Sequence, residues 1–73
     1  MSSRNALCVA LGKRIRYLRK QKGWTQIEMA EYLGMNRGHF SDLETGKREV
    51  GLLTLQVIAK GLETTMQSLL KGL

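Results

Sequence analysis

The sequence predicts an all-α fold of five short helices. Three observations lead there. Apolar residues recur at spacings of three and four along most of the chain, the period of a helix with one buried face. Glycines and capping residues punctuate those stripes, and proline is absent, as suits helices joined by short turns. With 73 residues there is room for a single domain, taken as 1–73, and a small core that depends on efficient helix packing or on association of two copies.

The first helix is expected from about Asn5 to Lys22, because Leu7, Leu11, Ile15 and Leu18 follow one another at four, four and three residues. Residues 1–4 are expected to be disordered. Gly23 ends the helix, and Trp24 sits in the connection as a lid on the core rather than as a stacking platform for single strands. Thr25 and Glu28 form a Thr-x-x-Glu capping box, so the second helix starts at Gln26 and leaves free N–H groups at a positive helix end that can receive a phosphate. On it Met29, Ala30 and Leu33 share one side. Gly34 sits where the chain must leave that helix through the left-handed region.

Asn36 caps a third helix reaching to Thr45, with Phe40 and Leu43 inward and Arg37, Gly38, Ser41, Asp42 and Thr45 outward. Gly46 stops it, and Lys47 and Arg48 follow in an exposed loop. Val50, Leu52, Leu55, Ile58, Ala59 and Leu62 supply the inward stripe of a fourth helix, from about Leu52 to Gly61. Thr65 caps a short fifth helix carrying Met66, Leu69 and Leu70. Counted from Gln26 as position one, Ala30 falls at five, Gly34 at nine and Leu43 at eighteen, which is a helix-turn-helix spacing across the second and third helices.

Charge and composition narrow the partners. Twelve Lys and Arg stand against six Asp and Glu, and residues 1–22 hold seven positive charges and no acid. Such asymmetry points to a polyanion, although a basic helix can also be a solvated face. The single cysteine, Cys8, excludes an internal disulfide and fits a reducing cytoplasm. The apolar run from Ala6 to Leu11 is too short for a signal segment or a membrane span. His39, Ser41 and Asp42 bring together the side-chain types of a hydrolytic triad, but on one helix His39 and Ser41 point about 160° apart. One His and one Cys separated by a helix and a turn do not form a metal site, so neither cofactor nor metal is expected.

The run TQIEMAEYLG followed by NRGHFSDLETGKR resembles the Cro and phage-repressor (XRE-type) family of helix-turn-helix proteins, most of all its small members such as restriction-modification controller proteins. The resemblance covers roughly Leu11 to Leu70. It implies a five-helix lambda-repressor-like domain, double-stranded DNA as ligand and a homodimer as the binding unit. It also implies that Arg19 pairs with Glu44, and the pairing suits Glu44, which lies beside Phe40 on the helical wheel; a lone surface arginine is the alternative. Family members use the glutamine at the position of Gln26 on the DNA backbone, and basic residues at the positions of Lys47 and Arg48 grip it too.

Arg37, near the start of the recognition helix, is the first candidate for reading a base, through guanine O6 and N7, with a phosphate contact as the alternative. Ser41 can reach a base or a phosphate. Asp42 can accept from cytosine N4 or serve locally, and His39 can touch the backbone or stay idle. Gly38 departs from the polar residue often found there, and Glu63 stands after Leu62 where relatives often have glycine, so the fourth helix is expected to end early. Leu53 and Val57, together with Leu73 or the leucines of the fifth helix, are expected to form an outward apolar set for a twin subunit.

The resulting expectation is a non-enzymatic regulator that binds operator DNA as a homodimer in the cytoplasm, with no membrane and no small-molecule ligand. The rivals are a helix-turn-helix antitoxin of a toxin-antitoxin operon and a protein-interaction module that kept the fold but not DNA binding. Against the second stand Arg37, Lys47 and Arg48, since such a module would leave the outer face of the third helix uncharged.

Overall fold

In a computed structural model, which describes residues 3–73 and the side chains of 6–73, the apolar stripes become five helices. They are α1 (Ser3–Gln21), α2 (Gln26–Leu33), α3 (Arg37–Thr45), α4 (Leu52–Gly61) and α5 (Met66–Leu70). Each contributes to one core: Leu11 and Ile15 from α1, Met29 and Ala30 from α2, Phe40 and Leu43 from α3, Leu55, Ile58 and Ala59 from α4, and Leu69 from α5. Trp24 packs at the edge of that core and meets Tyr32 edge to face at 5.6 Å, as a lid would. The disorder expected of residues 1–4 lies outside the described residues at positions 1 and 2. At Ser3 and Arg4 the backbone is already helical.

Local chemistry sets the joints. The capping box closes in both directions, with Glu28 N donating to Thr25 Oγ1 at 3.1 Å and Thr25 N donating to Glu28 Oε1 at 2.9 Å. The backbone N–H of Thr25, and after it the Thr25 hydroxyl, hold the Glu28 carboxyl below its ordinary pKa. Gly34 leaves α2 at φ 70°, and Asn36 Oδ1 accepts from His39 N at 2.7 Å to start α3. Two short helices are thus locked into the angle of a helix-turn-helix.

At the end of α4 the chain does without the expected glycine. Glu63 itself adopts φ 54°, and the turn closes through Thr64 N on Ala59 O at 2.9 Å and Glu63 N on Lys60 O at 3.1 Å. A side chain in this region is strained. Lys22 Nζ, 2.5 Å from Glu63 Oε1, offsets part of that cost and lowers the Glu63 pKa.

One packing expectation needs correction. Leu52, placed by its angle on the inward stripe of α4, is 71% exposed. It is the first residue of that helix and projects past the core, where it borders an open hollow with Leu53, Gln56 and Met66. On α5, Leu69 is buried in the core with Met66 packed against it, while Leu70 is exposed. Arg14 completes that short helix by donating from Nη1 to Ser68 O at 2.8 Å and from Nη2 to Lys71 O at 2.9 Å.

Helices α1 and α3 cross with their backbones almost touching. A Cβ at Gly12 would stand 2.4 Å from Glu44 O and 2.6 Å from Leu43 O, both backbone atoms. Gly12→Ala should therefore force the helices apart and destabilise by about 3 kcal/mol, the upper part of the range for overpacking. Gly38→Ala should do the reverse, raising stability by about 0.5 to 1 kcal/mol, since its nearest neighbour would be Asn36 Oδ1 at 3.4 Å. Urea unfolding of the two variants checks both signs.

Candidate nucleic-acid interface

The third helix offers a short surface whose polar residues follow from its register. Arg37 and Gly38 are exposed in its first turn, Ser41 and Asp42 are half-buried in the next, and Thr45 is exposed at its end. Arg37 makes no hydrogen bond or ion pair with any described residue, so its guanidinium is free to meet a ligand. Thr45 Oγ1 turns back to Ser41 O at 3.0 Å. His39 is half-buried on the flank. Asp42 Oδ2 accepts from Arg48 Nε at 3.1 Å, which draws the loop after α3 along the outward face of that helix. Arg48 and Asp42 thus neutralise each other, while Lys47 beside them is exposed.

Behind this surface lies a buried polar knot. Arg19 and Glu44 are 6% and 4% exposed. Arg19 Nε donates to Glu44 Oε2 at 2.6 Å and Arg19 Nη2 to Glu44 Oε1 at 3.2 Å, a two-point pairing that matches the planar fork of the guanidinium. Arg19 Nη1 donates to Trp24 O at 2.7 Å, in the connection before α2. Gln26 Nε2 donates to Glu44 Oε1 at 2.8 Å. The knot ties α1, the start of α2 and the end of α3 together. Gln26 is thus bonded to the last turn of α3 through Glu44, and Arg48 to its middle through Asp42.

The remaining chemistry is sparse. An apolar cavity of about 470 Å³ between α1, α4, α5 and the α3–α4 loop is lined by Leu7, Cys8, Leu11, Val50, Leu55 and Leu70, with Glu49 at its edge. None of the candidate polar residues on α3 faces it. Among the described residues no group of three or more His, Cys, Asp or Glu is disposed to hold a metal ion. No described helix is long and apolar enough to cross a membrane.

Comparison with known proteins agrees with this geometry. A family model described as helix-turn-helix matches residues 15–69. The chain belongs to this helix-turn-helix family. It is 33% identical over 66 residues to the control protein C.MunI from Mycoplasma sp, covering 89% of each chain. The restriction-modification controller protein C.AhdI from Aeromonas hydrophila superposes with a TM-score of 0.83 at 33% identity, over 88% of this chain and 97% of that one. SinR, the master regulator for biofilm formation, solved in complex with DNA, superposes with a TM-score of 0.77 at 27% identity, over 84% and 98% of the two chains. The chain spans about half the length of the first curated relatives it matches, 54% and 56%.

Within the helix-turn-helix domain several contacts escape a reading of the sequence. The pairing of Asp42 with Arg48 crosses the end of α3 at a separation of six residues, which no helical rule brings together. The bond from Gln26 to Glu44 is equally remote in sequence. Gly12 did carry a signal, as a glycine inside an otherwise unbroken helical stripe, which marks close backbone approach.

The buried pair has a measurable consequence. Glu44→Ala should cost about 3 to 5 kcal/mol, because it leaves the Arg19 charge buried without its partner. Arg19→Met combined with Glu44→Met should recover most of that loss, as apolar side chains fill the space with no charge left alone. Thermal melts of the single and double variants give the comparison, and a double variant as unstable as Glu44→Ala would contradict it.

Proposed function

We propose that this chain is a sequence-specific, non-enzymatic regulator of transcription that binds operator DNA as a homodimer in the cytoplasm. The observation that carries the reading is the surface of α3, where Arg37 is exposed and unpaired in the first turn and Lys47 is exposed just past the end of the helix. A helix presenting its first turn this way is shaped for the major groove, with Arg37 on base edges and Gln26, His39, Lys47 and Arg48 toward the phosphates. Ser41 and Asp42 are the second-turn candidates for base contact, Asp42 only once it is released from Arg48. A controller-type role is supported by the likeness to C.MunI and C.AhdI, which this chain matches over 89% and 97% of their lengths.

One recognition helix with glycine in its first turn reads few base pairs, so two half-sites are needed. A two-fold dimer supplies them when its recognition helices lie about 34 Å apart, one turn of DNA. The exposed leucines of α4 and the C-terminus favour that face for the subunit contact. Leu53 is 76% exposed, Val57 40% and Leu73 42%, and Leu52 at 71% joins them.

Arg37→Ala should cost about 1 to 3 kcal/mol on the preferred operator and flatten discrimination at one base pair. Lys47→Ala should weaken all sequences alike and reduce the salt slope by about one. Titrations at fixed salt separate the two, and equal weakening of operator and random duplex by Arg37→Ala would make Arg37 a phosphate contact. Replacing Leu53 and Val57 together with lysine should leave a folded monomer with weak, non-specific binding. Light scattering at micromolar concentration reads the mass, and a dimer that persists would move the interface elsewhere.

A further inference from the structure

The 2.8 Å bond between Gln26 Nε2 and Glu44 Oε1 has a direction that chemistry dictates. An ionised carboxylate only accepts, so the glutamine must offer it an N–H, and the amide oxygen is turned elsewhere. One of the two Nε2 protons is held by Glu44, and the other points away from the carboxylate. Glu44 is itself immobile, with both oxygens held by Arg19. Arg19 also holds the carbonyl of Trp24, two residues before Gln26, so the backbone and the side chain of Gln26 are referred to the same guanidinium.

A glutamine without such a partner exchanges its oxygen and nitrogen by rotation of the amide. Half of its orientations would turn a lone pair toward a phosphate. We infer that Glu44 and Arg19 are positioning residues for DNA binding: they hold the Gln26 amide so that its second N–H is presented to a phosphate oxygen before the DNA arrives. The inference rests on the proposed function, and within it on Gln26 as a backbone contact. Arg19 is essential to the device because it compensates the carboxylate. Without that compensation a negative charge would stand one residue behind a phosphate donor and repel the phosphate. The arrangement links a buried ion pair, otherwise a matter of stability, to the strength of an outer contact.

A double-mutant cycle read in DNA binding tests it. Gln26→Ala in the otherwise unchanged protein should weaken operator and random duplex alike by about tenfold, the lower end for a hydrogen bond to a charged group. The salt slope should stay as it was, because a neutral amide displaces no counterion. Arg19→Met with Glu44→Met, which leaves the net charge unaltered, should weaken binding by the same factor at the same slope. Adding Gln26→Ala to that pair should then change the affinity no further. Additive losses, or a pair variant that binds as tightly as the unchanged protein, overturn the inference and leave Gln26 as a backbone contact. A Gln26→Ala protein with unchanged affinity overturns the inference together with that contact, while an unchanged protein that binds no DNA removes the proposed function as well.

If the pair variant does not fold, nuclear magnetic resonance of the unchanged protein decides instead. One Gln26 side-chain amide proton should exchange slowly with solvent, and the other should move when DNA is added. Two protons that coincide with those of exposed Gln56 and Gln67, or that both shift alike, overturn the inference.

Discussion

The contact between Arg19 and Glu44 is the one on which the rest of the structure depends. It is the only ionic bond among the described residues in which both side chains are buried, and it joins three segments that the apolar core alone would leave free to slide. Taking two charges out of water is costly, and the pair is stable because every polar atom in it finds a partner. Among the described residues no buried side-chain nitrogen or oxygen lacks one. The close crossing at Gly12 belongs to the same arrangement. With a backbone contact there, α1 lies near enough to α3 for the guanidinium of Arg19 to reach the carboxylate.

The basic bias of the first 22 residues has a different meaning in three dimensions than in one. Of the cations there, Arg14 holds the carbonyls at the end of α5, Arg19 is matched by Glu44, and Lys22 by Glu63. Lys13, Arg16 and Lys20 remain exposed on α1. Much of the apparent excess is therefore structural, fastening the N-terminal helix to the rest of the domain. The candidate contact residues Arg37, Ser41, Lys47 and Arg48 come from the middle of the chain.

What could be read from the sequence was whatever is decided within a few residues. The capping box at Thr25 and Glu28, the left-handed Gly34 and the Asn36 cap are local events, and with the stripe of Phe40 and Leu43 they were enough to place both helices of the motif. The exposure of Leu52 was not legible, because its angle on the helix is right and only its position at the end of α4 takes it past the core. The turn after α4 was half legible: the missing glycine was visible at Glu63, but not that glutamate would take up the left-handed conformation itself and lean on Lys22. Candidate contact residues on α3 followed from the helical wheel. The network that orients them did not, because Asp42 to Arg48 and Gln26 to Glu44 depend on where a loop and a neighbouring helix come to rest.

The bond between Asp42 and Arg48 bears on time as well as affinity. A regulator must sample a great deal of irrelevant DNA, and every unpaired cation on its binding face lengthens each of those visits through the same attraction to phosphate. By neutralising Arg48 on the flank of the recognition helix, Asp42 leaves fewer free charges there than the sequence suggests. On the proposed DNA-binding face, fewer free charges would shorten each visit to the wrong stretch. Asp42 would in this way act against lingering, through one ion pair at the surface.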